Sequence, residues 1–256
     1  MASDFSLEIE FSGGLSVTQQ AAFTSARDRW REVIVGALTP VVVDGQQIDG
    51  LVIEAQGIFI DGPSGVLGQA GPTILRDDND LPARGLMSFD TGDLAEMETN
   101  GGLTDVILHE MGHVLGIGTL WSSDFFDFIE GSGGDDPAYT GPNASREYGD
   151  LLGQGTATKV PIANTGGPGT REGHWREKTF AHELMTGFLS GATRPLSRMT
   201  IGTLEDLGYE VDYSQADPYA LPDSNLLAMI ALTAPTIPCC QVIRTKPVRL
   251  SEWENG

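Results

Sequence analysis

A chain of 256 residues, 40% hydrophobic and 20% charged, can bury a sizeable core as one domain or two packed halves. Its 36 acidic and 15 basic residues give a formal net charge of -21, which repels nucleic acid and anionic membranes alike. No stretch approaches the roughly 20 apolar residues of a transmembrane helix.

The opening Met1-Ala2-Ser3-Asp4-Phe5-Ser6 lacks the charged-then-apolar pattern of an export signal, which fits a cytosolic chain or a processed piece of an exported one. Phe5 to Phe11 alternates apolar and polar residues, the mark of a half-buried strand, and Gly13-Gly14 turns the chain. Thr18 to Leu38 reads as a long helix, with Ala22, Ala26, Trp30, Val33 and Ala37 at helical spacing and Pro40 as its stop. Leu51 to Ile60 is a second strand, and Val66 to Leu75 a glycine-interrupted, bent one. Asp77 to Asp80 is an acidic loop, and Gly85 to Phe89 a short strand. This order suggests an α/β chain with a mostly parallel, twisted sheet carrying helices.

Thr104 to Gly116 holds His109-Glu110-x-x-His113. Ile107, Met111 and Val114 recur at helical steps, as do Leu108 and Leu115, with Thr104 as the expected N-cap and Gly116 as the stop. On a helix, residues four apart share a face, so two imidazoles can grip one zinc ion. Glu110 is then placed to act on a water in zinc's open position. The competing reading is an ordinary amphipathic helix carrying two histidines by chance. Only four histidines occur in the chain, and two fall here with a glutamate after the first.

Residues 117 to 173 are rich in Gly, Asp, Pro and Thr, with a short helix expected over Ala144 to Leu152. A loop region this long inside a domain is usually functional or supported by ions. Ser197 should cap a helix from Arg198 to Leu207 that stops at Gly208, and Asp223 another from Ser224 to Leu232. Cys239 and Cys240 are adjacent and could pair only through a strained small ring, so no ordinary disulfide framework is expected.

A catalytic zinc takes three protein ligands. The position three residues after Gly116 is Thr119, so the compact three-histidine motif fails. Glu130 lies in a stretch with no helical pattern to present it, which leaves His174 and His182.

His109-Glu-Met-Gly-His113-Val-Leu-Gly116, a long insertion that leaves sixty residues between His113 and His174, then His174-Trp175 and Glu183-Leu184-Met185 together resemble leishmanolysin, a metzincin peptidase family. Pro195 to Tyr209 resembles the helix that follows that family's Met-turn. The likeness in motifs spans roughly residues 103 to 210; upstream it is architectural only. The family is cysteine-rich and carries a further C-terminal domain, whereas this chain has two cysteines.

The resemblance implies His174 as third zinc ligand and Met185 as the Met-turn methionine, eleven residues later. His182, three residues before Met185, leaves little chain to loop back beneath a metal. The glycines from Gly166 to Gly173 give the backbone freedom to bring an imidazole in.

By resemblance the fold is zincin/metzincin-like. Residues 1–117 form a sheet-and-helix subdomain with the active-site helix. Residues 118–256 form an irregular Gly/Asp-rich subdomain with the third ligand, the Met-turn and a C-terminal helix. The implied activity is a zinc endopeptidase acting on protein or peptide, in an extracellular or cell-surface setting. Gly85 to Phe89 is the expected sheet edge on which an extended peptide pairs. The rival readings are a zinc-bearing binding or adhesion module, and a zinc hydrolase of a non-peptide amide. Calcium is a second candidate ion, at Asp77 to Asp80 or among Asp124, Asp127, Glu130, Asp135 and Asp136.

Overall fold

The computed structural model describes residues 4–63, 65–167, 169–188, 193–223, 241–242 and 246–254, with 241–242 as backbone alone. The helix expected from Ser224, and Cys239 and Cys240, lie outside the described residues. The architecture is mixed α/β. A mostly parallel central sheet is built from β1 (Leu7–Gly13), β4 (Leu51–Ile58), β5 (Gly68–Leu75) and β6 (Pro82–Asp90), in the spatial order β1-β4-β6-β5. β1 and β4 run parallel with Leu7 opposite Leu51, β4 and β6 run parallel with Ile53 opposite Gly85, and β5 runs antiparallel to β6. β5 is bent as its glycines suggest, with register shifts between Pro72 and Ile74 and between Ile74 and Leu75.

The sheet order corrects one expectation. The Gly85–Phe89 stretch is not an edge, because β6 is hydrogen-bonded on both sides, to β4 and β5. β5 lies outside it. The outer side of β5 is paired in turn by the chain's own β10 (Gln241–Val242) at Gln69 and Ala70, and by β11 (Val248–Arg249) at Ile74 and Leu75.

Helix α1 (Val17–Val33) begins at a capping box: the Gln19 amide donates to Ser16 Oγ at 3.2 Å, and the Ser16 amide to Gln19 Oε1 at 2.9 Å. It ends at Val33, not Leu38, because tertiary pairing takes over. Ile34 turns extended and bridges to Val211, and the Val35 amide donates to Glu210 O at 2.9 Å. Phe23, Ala26, Trp30 and Val33 line its buried face. Trp30 Nε1 donates to the Leu108 carbonyl at 3.0 Å, fastening α1 to α3 (Leu103–Val114). Phe23, Ile53, Met87 and Phe89 are fully buried in the same core, and each such side chain contributes on the order of 1.5–3 kcal/mol relative to exposure.

A hairpin of β2 (Val41–Val43) and β3 (Gln46–Ile48) turns at Asp44-Gly45, both with positive φ, the two-residue turn that Asp-Gly favours. α2 (Leu94–Thr99) precedes α3. The lower half holds a small antiparallel sheet of β7 (Ile129–Glu130), β8 (Ala138–Tyr139) and β9 (Val160–Pro161), then α4 (Pro142–Leu151) between β8 and β9. α5 (Glu177–Phe180) and α6 (Arg198–Leu207) follow. α6 has the expected bounds, with Ser197 Oγ accepting from the Thr200 amide and Gly208 left-handed at its end.

The acidic loops are engaged by the protein itself. Asp77 accepts from Ser251, and Asp80 pairs with Arg249 at 2.7 Å. Asp124 pairs with Lys246, Glu130 with Lys159 and Asp136 with Arg176. Among the described residues no group of carboxylates converges as a metal-ligand set.

Asp90, at the end of β6, fixes the loop between β4 and β5. Its Oδ2 accepts from the amides of Ile60, Asp61 and Gly62 at 2.7–2.9 Å, and its Oδ1 from Gly92 at 2.6 Å. Burial alone would raise its pKa, but the four amides outweigh it and lower it from 3.8 to about 2. Because the folded-state pKa is depressed, this stability is present above the unfolded-state value and fades as pH falls towards 2. Asp90→Asn should cost about 1.5–3 kcal/mol at neutral pH. In denaturant unfolding, the gap between variant and wild type should narrow at low pH; a gap independent of pH would count against this account.

Candidate active site

α3 starts after Gly102, with no side-chain cap, rather than at a Thr104 cap, and ends where Gly116 turns left-handed at φ 111°. Every residue from Val106 to Val114 is buried, so His109, Glu110 and His113 sit inside the molecule. Below the helix, His174 comes up from the segment after β9. Its carbonyl accepts from the Ala163 amide at 2.8 Å, and the next amide, of Trp175, donates to Met185 O at 2.9 Å.

The three imidazoles meet at one point. The Nε2 atoms of His109, His113 and His174 lie 3.0, 3.0 and 3.2 Å apart pairwise. Each Nδ1 faces a main-chain carbonyl: His109 that of Leu184 at 2.6 Å, His113 that of Ile117 at 2.8 Å, and His174 that of Thr170 at 2.9 Å. A carbonyl can only accept, so each Nδ1 carries the proton and each Nε2 points a lone pair inward.

Burial, then the neighbouring imidazole, lowers the His109 pKa to about 3. Burial lowers that of His174 to about 4, and burial with both neighbours drives His113 well below the usual histidine value. All three rings are therefore neutral at physiological pH.

Three inward lone pairs at this separation repel one another unless a cation lies among them. Tetrahedral zinc bonded at about 2.0–2.1 Å would hold its nitrogens about 3.3–3.4 Å apart, so the donor set fits such an ion. Glu110, next to His109 on the helix, is fully buried. It faces the start of β5: a Cβ built on Gly68 would lie 3.5 Å from Glu110 Cδ.

The other candidates stand apart. His182 is half-buried, with its ring edge-on to Tyr219. Glu130 is exposed and paired with Lys159. Thr119 donates its hydroxyl to His113 O at 2.8 Å, supporting the end of α3. Met185 is fully buried beneath α3, where a Cβ on Gly112 would come within 2.9 Å of its Sδ. Trp175 packs among Trp121, Tyr139 and Phe180. The carbonyls of Leu184, Ile117 and Thr170 were missed from sequence, since main-chain acceptors carry no residue-type signal.

The profile of the peptidase M8 family, leishmanolysin, matches residues 59–230. The chain belongs to the leishmanolysin family. A leishmanolysin homolog of Crithidia fasciculata is 28% identical over 145 residues, a match covering 54% of this chain and 22% of that protein. The chain thus spans about a fifth of this curated relative's length. The leishmanolysin match takes in all three histidines, Glu110 and Met185. It begins at residue 59, so the likeness in sequence reaches β5 and β6, well upstream of the expected start near residue 103.

His174 reaches the helix because two backbones nearly touch. Gly118 has φ +76°, and a Cβ on it would lie 2.0 Å from Gly173 O, immediately before His174. Gly118→Ala must therefore push the His174 segment away and strain its own backbone, the latter alone costing about 1–2 kcal/mol. A lower unfolding temperature together with weaker metal retention is expected. An alanine variant with unchanged metal content would show that this contact does not place His174.

Proposed function

We propose that this chain is a zinc-dependent endopeptidase, with His109, His113 and His174 holding the metal and Glu110 as the catalytic acid/base. The observation that carries this is the convergence of three neutral imidazoles whose outer nitrogens are all engaged, two of them on a helix that also carries a buried glutamate and the third brought up by a distant segment. Family membership supports a metallopeptidase acting on protein or peptide.

When bound, zinc supplies a Lewis acid that polarises a scissile carbonyl and brings a water's pKa towards about 7. Glu110 takes the proton of the attacking water and delivers it to the leaving amine. Its burial excludes competing solvent. No covalent enzyme intermediate is required.

The metzincin fold belongs to this proposal, with Met185 as the Met-turn methionine beneath α3. So does the two-part reading, residues 1–117 bearing the active-site helix and 118–256 bearing His174. A cell-surface or secreted setting follows from the family.

Casein digestion with and without chelator separates a peptidase from a binding module and from a hydrolase of other amides. Glu110→Ala should retain zinc yet lose activity by about a hundredfold or more. His174→Ala should lose both zinc and activity, whereas His182→Ala should keep them. Peptidase activity of Glu110→Ala within about tenfold of wild type would sink the assignment of Glu110.

Extended peptides are recognised by pairing with a strand edge. β5 is the strand beside Glu110, and its outer side is already paired by β10 at Gln69 and Ala70 and by β11 at Ile74 and Leu75. A substrate pairing there must displace residues 241–242. A chain ending at residue 240 should then show a lower KM for peptide substrates, with zinc content as the control for folding. An unchanged KM in a zinc-replete truncation would put the peptide elsewhere in the cleft.

A further inference from the structure

We propose that Glu183 is a positioning residue for the metal centre, acting on His109 through the Leu184–Met185 peptide bond and on His174 through Trp175. The inference rests on the zinc reading above.

Glu183 is fully buried, yet its carboxylate is surrounded by donors. Oε2 accepts from the Met185 amide at 2.6 Å. Oε1 accepts from the Ser197 amide at 3.2 Å, Ser197 Oγ at 2.7 Å and Thr200 Oγ1 at 2.5 Å. The last three come from the N-terminus of α6, the end of a helix that favours a negative charge. Burial raises the Glu183 pKa, and these donors oppose the rise. An ionised carboxylate accepts from every one of them, whereas an amide in its place would turn an NH2 towards a donor.

The consequence for the centre lies in one peptide plane. The Met185 N–H held by Glu183 and the Leu184 C=O that accepts from His109 Nδ1 belong to the same peptide unit. Because that unit is planar and trans, fixing the N–H fixes the direction of the C=O. The hydrogen bond from carboxylate to N–H also polarises the carbonyl, making it a stronger acceptor for Nδ1–H. A ligating histidine whose outer N–H meets a strong acceptor is better oriented and more basic at its other nitrogen.

The second route is side chain to side chain. Thr200 Oγ1, donating to Glu183, accepts from Trp175 Nε1 at 2.8 Å. Trp175 directly follows His174. One buried carboxylate therefore sets the outer partner of His109 and holds the Trp175 ring that follows His174 in the chain, although it touches neither imidazole.

The test is zinc affinity, by chelator competition, in wild type, Glu183→Gln, His109→Ala and the double variant. Glu183→Gln, folded by circular dichroism, should bind zinc about 10–100-fold more weakly than wild type. In the His109→Ala background the same change should have a much smaller effect, because its main target is gone. An equal loss in both backgrounds, or affinity within about threefold of wild type, would overturn the proposal.

Should Glu183→Gln not fold, Thr200→Val cuts only the Trp175 tie. Zinc affinity at least threefold weaker at an unchanged unfolding temperature supports the proposal, and a smaller change overturns it. Absence of zinc binding in the wild type would instead sink the metallopeptidase reading, a result distinct from either outcome for Glu183.

Discussion

Three imidazole lone pairs held about 3 Å apart inside an apolar core are the constraint on which the rest of the structure depends. Without a cation, each ring would be more stable turned away or protonated towards a neighbour. Burial closes the second escape, since charging any of the rings inside the core is costly. The three carbonyls close the first, because turning a ring would strand a buried donor at about 1–3 kcal/mol. The described residues are thus arranged around a point where three ring nitrogens converge and a metal ion could be held.

The scaffold explains how separate parts of the chain meet there. α3 is fastened by Trp30 through Leu108 O and by Met185 packed against Gly112. Tyr209, just past α6, donates to Leu115 O at 3.1 Å and so ties the end of α3 to the lower half. The Gly118–Gly173 approach then sets how near His174 can come. Each fastening is either a buried hydrogen bond or a contact too close for a Cβ. Neither tolerates gradual drift, which is what a ligand set needs to keep its geometry.

Much of this was legible in the sequence, and what was not has a physical pattern. The helix with His109, Glu110 and His113, and α6 between Ser197 and Gly208, are local: spacing and stop lie within a dozen residues, and α6 also carries its expected Ser197 cap, whereas Thr104 does not cap α3. The β2–β3 hairpin is local too, with Asp44-Gly45 following the apolar Val41–Val43, but Gln46-Gln47 gives its second strand no apolar run to read. The end of α1 was misjudged because a distant segment, Glu210 and Val211, competes for its last residues. Strand order failed for the same reason. Gly85 to Phe89 reads as a strand, but nothing within it says that β5 will fold back outside it. His174 and His182 are told apart mainly by resemblance, helped by the glycines before His174, since the difference lies in which backbone each meets. The carbonyl partners were invisible altogether.

The use of carbonyls, rather than carboxylates, at all three outer nitrogens has an electrostatic meaning. A carboxylate beside each imidazole would orient it equally well, but would surround a divalent ion with negative charge and blunt its pull on a substrate carbonyl. Carbonyl dipoles orient the rings while adding no net charge. In this chain, with 36 acidic residues, the acids nearest the centre are few and each has a separate position. Glu110 is on the ligand helix itself, beside Gly68 of β5. Glu183 is set one peptide unit back from His109, where its charge is spread over donors from α6 and the Met185 amide. Asp105, one turn before His109, is paired with Arg194 at 3.2 Å. What the carbonyls and Glu183 pass to the imidazoles is mainly direction.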